Sequence, residues 1–315
     1  MLITYIRSSL VGRYQFCNHA AWIEYSLGYK SPGGHKAEKG NILHKALELL
    51  ALNKERTVDD VFQEACNHYI TSSIHTYKQK DVDDCRKWLD KALTFKNGIY
   101  DPRKLDIIAV EKSFDIEFKE DWARYSYKLK DKVIEGYFAI KGNVDMISRY
   151  SPSIIQLTDY KTGKRIDWAT GKEKDYKALE NDFQLQLYAL ALSHLYPKQD
   201  IFIDIYYVND GNCFTIPFDR TKLGKVKDRV IQQYLTIKND EEPKLLSPNR
   251  TNWKCTKLCP FFKIQKEGLT LCEYLYRERR IKGIEKATID NMEEGYNPTQ
   301  YGYGGGAEGL KNESK

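Results

Sequence analysis

No apolar run in the 315-residue chain reaches the ~18–20 positions that a membrane-spanning helix needs, so a membrane protein of that kind is not expected. The opening Met1-Leu2-Ile3-Thr4-Tyr5 lacks the basic and apolar regions of a secretory signal, which leads to the expectation of a cytoplasmic protein. There is no P-loop (Gly-x4-Gly-Lys-Ser/Thr), so the chain is not itself a helicase, and no zinc finger or basic zipper. A disulfide framework is also missing, since seven cysteines is an odd count in a chain without a secretory signal. Charge of one sign is only weakly in excess. Fifty basic residues against 44 acidic ones give +6, which permits contact with a polyanion without establishing it.

What the chain does have is enough apolar sequence, 41%, to build a substantial core. It also carries 23 tyrosines, some of which could stack on unpaired bases. A helix carrying Cys17 is predicted over 5–29, and Ser31-Pro32-Gly33-Gly34 breaks it. Leu43, Ala46, Leu47 and Leu50 lie at helical spacing within 38–53, and helices of mixed polarity continue through 57–97. Strands follow at 107–118, 133–149 and 153–160, then a helix at 176–196. Residues 201–207 and 213–218 read as a hairpin around Asn209-Asp210-Gly211-Asn212. Further helices are expected at 220–240 and 273–286, with a proline-bearing loop at 243–254. The fold class this order implies is α/β, a mixed sheet flanked by helices. One domain is expected over 1–288, with a helical insertion at about 54–100 and a cysteine-rich clip at 250–276. Residues 289–315, including Tyr301-Gly302-Tyr303-Gly304-Gly305-Gly306, read as a disordered tail.

Two apolar runs carry carboxylates. One is Gly142-Asn143-Val144-Asp145-Met146-Ile147; the other is Ile154-Ile155-Gln156-Leu157-Thr158-Asp159-Tyr160-Lys161. In a strand, residues two apart share a face, so Asp159 and Lys161 project together, and a neighbouring strand can bring Asp145 beside them. Two carboxylates suit a hard cation such as Mg²⁺, and a lysine beside them can orient a nucleophile or neutralise charge on phosphorus. A charge flanked by buried strand residues needs a partner. The combination points to a metal-dependent phosphodiesterase site.

Four motifs in order resemble those of the RecB-like group of PD-(D/E)XK nucleases. They are Gly40-Asn41-Ile42-Leu43-His44, Gly142-Asn143-Val144-Asp145, Asp159-Tyr160-Lys161 and Gln184-Leu185-Gln186-Leu187-Tyr188. The segment from Ser8-Ser9 through Cys17 to Gly28 also resembles the group's N-terminal helix and cysteine, and the likeness covers roughly residues 5–276. The resemblance implies a restriction-endonuclease-like fold. It makes Lys161 the catalytic lysine and Asp145, Asp159, His44 and the Tyr160 backbone carbonyl the ligands of Mg²⁺ or Mn²⁺. A histidine ligand disfavours Ca²⁺ and suits Mn²⁺, although a lone histidine among apolar helix residues is ordinarily a core residue. Gln184 and Tyr188 share a helix face, and the resemblance places them near the lysine or the DNA. Glu111, opening a strand, is a secondary candidate; Glu48 could orient the His44 imidazole but reads first as a solvated helix residue.

Some members of this group hold a [4Fe–4S] cluster on one N-terminal and three C-terminal cysteines. Here Cys17, Cys255, Cys259 and Cys272 would serve, clipping the two ends together, with zinc or unligated thiols as the alternatives. The spacing departs from the group's tighter C-x2-C-x5-C, because the gaps here are three and twelve residues. Cys66, Cys85 and Cys213 are expected to pack as small apolar residues. Basic runs at 161–165 and 277–283 are candidate phosphate contacts, with a solvated basic face as the alternative. The resemblance thus implies a metal-dependent DNA exonuclease acting on single strands or DNA ends in recombination, repair or replication. Its expected partners are a helicase, a single-strand-binding protein or a recombination factor. An adaptor for CRISPR spacer capture, a helicase–nuclease subunit, or a binding module with a latent site are the rival readings. A small chain without a helicase region fits a prokaryotic or phage-infected cell.

Overall fold

The computed structural model describes residues 1–30, 34–129, 132–166, 171–247 and 251–292. In chain order its elements are β1 (Tyr5–Ile6), α1 (Ser8–Phe16), α2 (Asn18–Ala21), α3 (His35–Leu52), α4 (Val58–Ile70), α5 (Gln79–Thr94) and β2 (Ile107–Glu117). Next come β3 (Arg124–Leu129), β4 (Lys132–Tyr137), β5 (Ala139–Ser151), β6 (Ile154–Lys161), α6 (Tyr176–Glu180), α7 (Phe183–Leu195), β7 (Asp200–Tyr207) and β8 (Asn212–Phe218). The chain closes with α8 (Leu223–Lys238), β9 (Gln265–Lys266), β10 (Leu269–Thr270), α9 (Leu271–Lys282) and α10 (Ile284–Asn291). They sort into two compact units. The first gathers Met1–Pro32, Phe114–Gly142 and the stretch from Leu223; the second gathers Gly33–Ser113 and Asn143–Lys222. Strands β2 and β5 each pass from one unit into the other.

The second unit is built on a mixed sheet. The latter part of β5 pairs antiparallel with β6 (Met146 opposite Thr158), β6 runs parallel to β7 (Asp159 opposite Ile205), and β7 pairs antiparallel with β8. The β6–β7 pair is parallel, so the chain must cross over between them, and α6 and α7 make that crossing. The residues of β6 from Leu157 to Tyr160 are buried in succession rather than alternately, as in a strand covered on both faces. Helix α7 is buried nearly all round, as its run of leucines and alanines requires. Leu43, Ala46, Leu47 and Leu50 face the core on α3, each leucine contributing about 1.5–3 kcal/mol of burial. The expected insertion forms α4 and α5, which pack on α3. Cys66 and Cys85 sit in that core, with Cys213 partly buried against it, and burial pushes the Cys85 thiol up to about 12.

The first unit starts with β1, parallel to the opening of β5 through Tyr5–Ala139 and Ile6–Ile140, beside the β3–β4 hairpin. Gly142 is required there by a close approach. A Cβ on it would lie 2.3 Å from the Phe114 ring, so only glycine lets that ring lie across the strand. Phe138 stacks on Tyr234 of α8 at 3.8 Å.

Two expectations need correction. The helix over 5–29 is not continuous: Cys17 is extended (φ −165°, ψ 114°), separating α1 from α2, and Trp22–Ser26 widens into a π-type turn. The chain stays helical to Asn291, beyond where the tail was expected to begin. The expected breaker at 31–33, part of the proline-bearing loop (248–250) and the tail from 293 lie outside the described residues.

Candidate active site

Helix α3 carries His44 to the site, and the glycine of its motif has a steric cause. A Cβ on Gly40 would stand 3.1 Å from Thr162 Oγ1, so the helix lies close against the chain leaving β6. His44 Nδ1 is 3.2 Å from Glu111 Oε1 on β2 and 3.4 Å from Asp145 Oδ1 on β5. The donor atoms of His44, Glu111 and Asp145 all lie within 4.8 Å of one another. Glu111 is held in place on its other side, where Asn143 Nδ2 donates to its Oε2 at 2.6 Å. Ser113 Oγ in turn donates to Asn143 Oδ1 at 3.2 Å. Glu111 also sits in the left-handed region (φ 44°), a conformation that costs a side-chain-bearing residue about 1–3 kcal/mol and persists where the surroundings over-determine it.

Asp145 lies where the β5–β6 ladder ends, and the Tyr160 N–H donates to its Oδ2 at 2.7 Å. The Tyr160 side chain points the other way, its hydroxyl donating to the Tyr100 carbonyl at 3.0 Å. Asp159 and Lys161 share the opposite face, as alternation requires. Lys161 Nζ is 2.8 Å from Asp159 Oδ2 and also donates to Gln184 Oε1 at 3.3 Å. Gln184 Nε2 donates to the Tyr188 hydroxyl at 2.6 Å, one helical turn on. Asp182 caps α7 by accepting from the Gln184 N–H, which anchors the turn that presents Gln184.

The electrostatics tie these groups together. Burial opposes charge on His44, but Asp145 and Glu111 outweigh it and hold its pKa well above the usual imidazole value. Burial likewise works against the Asp145 carboxylate, and His44, Lys161 and the Tyr160 N–H overcome it and keep its pKa low. Burial pushes Asp159 up to about 6, Lys161 pulling against it and Asp145 adding to it. Lys161 stays above its ordinary value because Asp159 and Asp145 outweigh its burial.

The expected residues are therefore brought together in two linked groups. His44 and Asp145 form a triplet with Glu111, while Asp159 pairs with Lys161, which reaches Gln184 and through it Tyr188. Glu48 pairs with Lys45 at 2.8 Å, in keeping with its reading as an ordinary solvated helix residue rather than a support for His44. Asn143 is the positioning residue that sequence reasoning passed over, although it stands two residues before Asp145 and hence on its face of β5.

The profile of the PD-(D/E)XK nuclease superfamily matches residues 9–264. The chain belongs to that superfamily. The PD-(D/E)XK nucleases hold divalent metals, and an imidazole nitrogen with carboxylate oxygens is a donor set that suits Mg²⁺ or Mn²⁺. No curated protein matches the chain. Among solved structures, one titled "Putative exonuclease", from Eubacterium rectale, is 11% identical over 86% of this chain and 92% of that one, with a TM-score of 0.48. That of SSO0001 is 15% identical over 86% and 89%, with a TM-score of 0.31. Among the described residues of this superfamily member, no helix is long and apolar enough to cross a membrane.

The four remaining cysteines are in the first unit. Cys17, Cys255, Cys259 and Cys272 all line one apolar cavity with Phe16, Ile23 and Phe261. Among the described residues no cysteine is joined in a disulfide.

The basic runs are largely engaged elsewhere. Arg279 is buried and donates to the Pro243 carbonyl at 2.7 Å. Arg277 pairs with Glu273, and Lys282 with Glu278 and Asp290. Arg165 pairs with Glu173 and donates to the Lys174 carbonyl at 2.5 Å.

Proposed function

We propose that the protein is a divalent-metal-dependent DNA exonuclease acting on single strands or DNA ends. The observation that carries the reading is the His44–Glu111–Asp145 triplet standing in the same unit as the Asp159–Lys161 pair. His44, Asp145, Asp159 and the Tyr160 carbonyl would hold the cation, with Glu111 as a further carboxylate. A cation bound there supplies charge neutralisation on the phosphate and makes a water more acidic. Lys161, paired with Asp159, would support the attacking water and the charge that builds on phosphorus. Attack at phosphorus breaks the bond to the leaving oxygen, which takes up a proton. Gln184 and Tyr188 keep Lys161 extended from its strand. The preference for ends and single strands follows the likeness to the RecB-like group, as does a place in recombination, repair or replication beside a helicase or single-strand-binding partner.

The test is cleavage of single- and double-stranded DNA labelled separately at each end, with Mg²⁺ or Mn²⁺. Lys161→Ala should retain the fold and lose at least about a hundredfold in rate. Unchanged cleavage in that variant would refute the assignment, and release of internal fragments first would refute the exonucleolytic part.

Cys17, Cys255, Cys259 and Cys272 are the proposed ligands of a [4Fe–4S] cluster. Among the described residues, no three of these sulfurs lie within 4.8 Å of one another. The choice of a cluster over zinc follows the likeness to the iron–sulfur members of the RecB-like group. Anaerobically prepared protein should carry about four irons and a brown absorbance band, both lost in Cys259→Ser. Stoichiometric zinc without iron would overturn this.

A further inference from the structure

The basic runs most visible in the sequence are largely paired or buried, but another basic stretch is not. Residues 251–266 contain Lys254, Lys257, Lys263 and Lys266 and no acidic residue. Among the described residues none of these four lysines is ion-paired, whereas Arg277 and Lys282 on the neighbouring stretch are. Immediately before the first of them Trp253 is 60% exposed, and Leu258, after the second, is 54% exposed. An indole left that far in water stands out, because tryptophan is ordinarily among the more buried side chains.

The turn that displays it is built. Asn252 Oδ1 accepts from the Lys254 N–H at 2.9 Å, and the Asn252 carbonyl accepts from the Cys255 N–H at 2.8 Å. Thr256 Oγ1 donates to the Trp253 carbonyl at 3.2 Å. Behind the turn, Cys255 and Cys259 line the cysteine cavity and Phe261 is fully buried, so the indole is presented from an anchored backbone.

We propose that this turn is a contact for single-stranded nucleic acid, with Trp253 stacking on an unpaired base and the lysines neutralising the flanking phosphates. An aromatic platform inside unpaired positive charge is the general chemistry of sequence-tolerant single-strand binding. The substrate class rests on the nuclease reading above; the contact itself rests on the exposure of Trp253 and the unpaired lysines. A duplex offers its phosphates to the lysines but hides its bases from the indole, so the turn favours single strands.

The experiment is equilibrium binding of a fluorescein-labelled oligodeoxythymidylate in EDTA, where cleavage does not contribute, with a duplex of the same length and phosphatidylserine vesicles as comparisons. Trp253→Ala should weaken single-strand binding about tenfold and duplex binding much less, while Trp253→Phe should restore most of the loss. Lys254→Ser with Lys257→Ser should flatten the dependence of log K on log salt by about 0.7 per lysine. Circular dichroism should show the folds unchanged, since the substituted side chains are at the surface. Wild-type affinity in folded Trp253→Ala would overturn the proposal, as would a Trp253-dependent attachment to the vesicles that exceeds the one to DNA. If the nuclease reading alone fails, Lys161→Ala will cleave like wild type while the Trp253 effect on binding persists.

Discussion

Glu111 combines a proposed metal donor with a backbone conformation that opposes it, and a pair of substitutions separates the two. Both Glu111→Ala and Glu111→Gly remove the carboxylate that faces His44 at 3.2 Å and is held by Asn143. They differ in that alanine keeps a Cβ at φ 44°. That conformation costs about 1–3 kcal/mol in a residue with a side chain and next to nothing in glycine. Against this, glycine loses about 0.4–1 kcal/mol more chain entropy on folding. Glu111→Gly should therefore be the more stable of the two by about 1 kcal/mol, or about 2 °C in thermal midpoint for a chain of this size. Metal dependence should fail equally in both. A ligand at a hundred times its Kd stabilises a protein by about 2.7 kcal/mol, so Mn²⁺ should raise the wild-type midpoint clearly and raise neither variant's comparably. Thermal unfolding with and without Mn²⁺ measures both quantities. Alanine matching glycine in stability would refute the strain argument, and undiminished Mn²⁺ stabilisation in either variant would remove Glu111 from the metal site.

Gly142→Ala should cost about 1–3 kcal/mol, because its Cβ would have to displace the Phe114 ring, and chemical denaturation would measure the loss; a variant as stable as wild type would mean that the ring moves freely. Tyr100→Phe should cost a similar amount. The Tyr100 hydroxyl donates at 2.8 Å to Asp204, a carboxylate buried in the core of the second unit, and burial with Asp204 holds the phenol far above its ordinary pKa. Its effect should appear in stability and leave cleavage per folded molecule unchanged, so a selective loss of rate would show that Tyr100 does more than support the core.

The parts of the site legible in the sequence are those set by local periodicity. Asp159 and Lys161 share a face because strands alternate, and Gln184 meets Tyr188 because helices repeat every turn. Glu111 was harder to rank, since its left-handed backbone breaks the alternation that would have marked its face. The role of Asn143 depends on which strand lies beside β5, which no local pattern encodes. Helical propensity runs straight through Cys17, and the break there is a matter of tertiary context. The basic run at 277–283 is a different case: Glu273 and Glu278 stand four residues before Arg277's and Lys282's positions, so those pairs were readable from spacing. The burial of Arg279 against the Pro243 carbonyl was not.

The interleaving of the two units sets an order on synthesis. Every residue of the second unit's main segments precedes Leu223, so the His44–Glu111–Asp145 triplet and the Asp159–Lys161 pair can assemble while the rest of the chain is still on the ribosome. The first unit has no such freedom. Cys17 meets the Lys244 carbonyl across 227 residues of chain, and its fellow cysteines come later still. Until they emerge, the Cys17 thiol lacks the neighbours that bury it in the folded first unit.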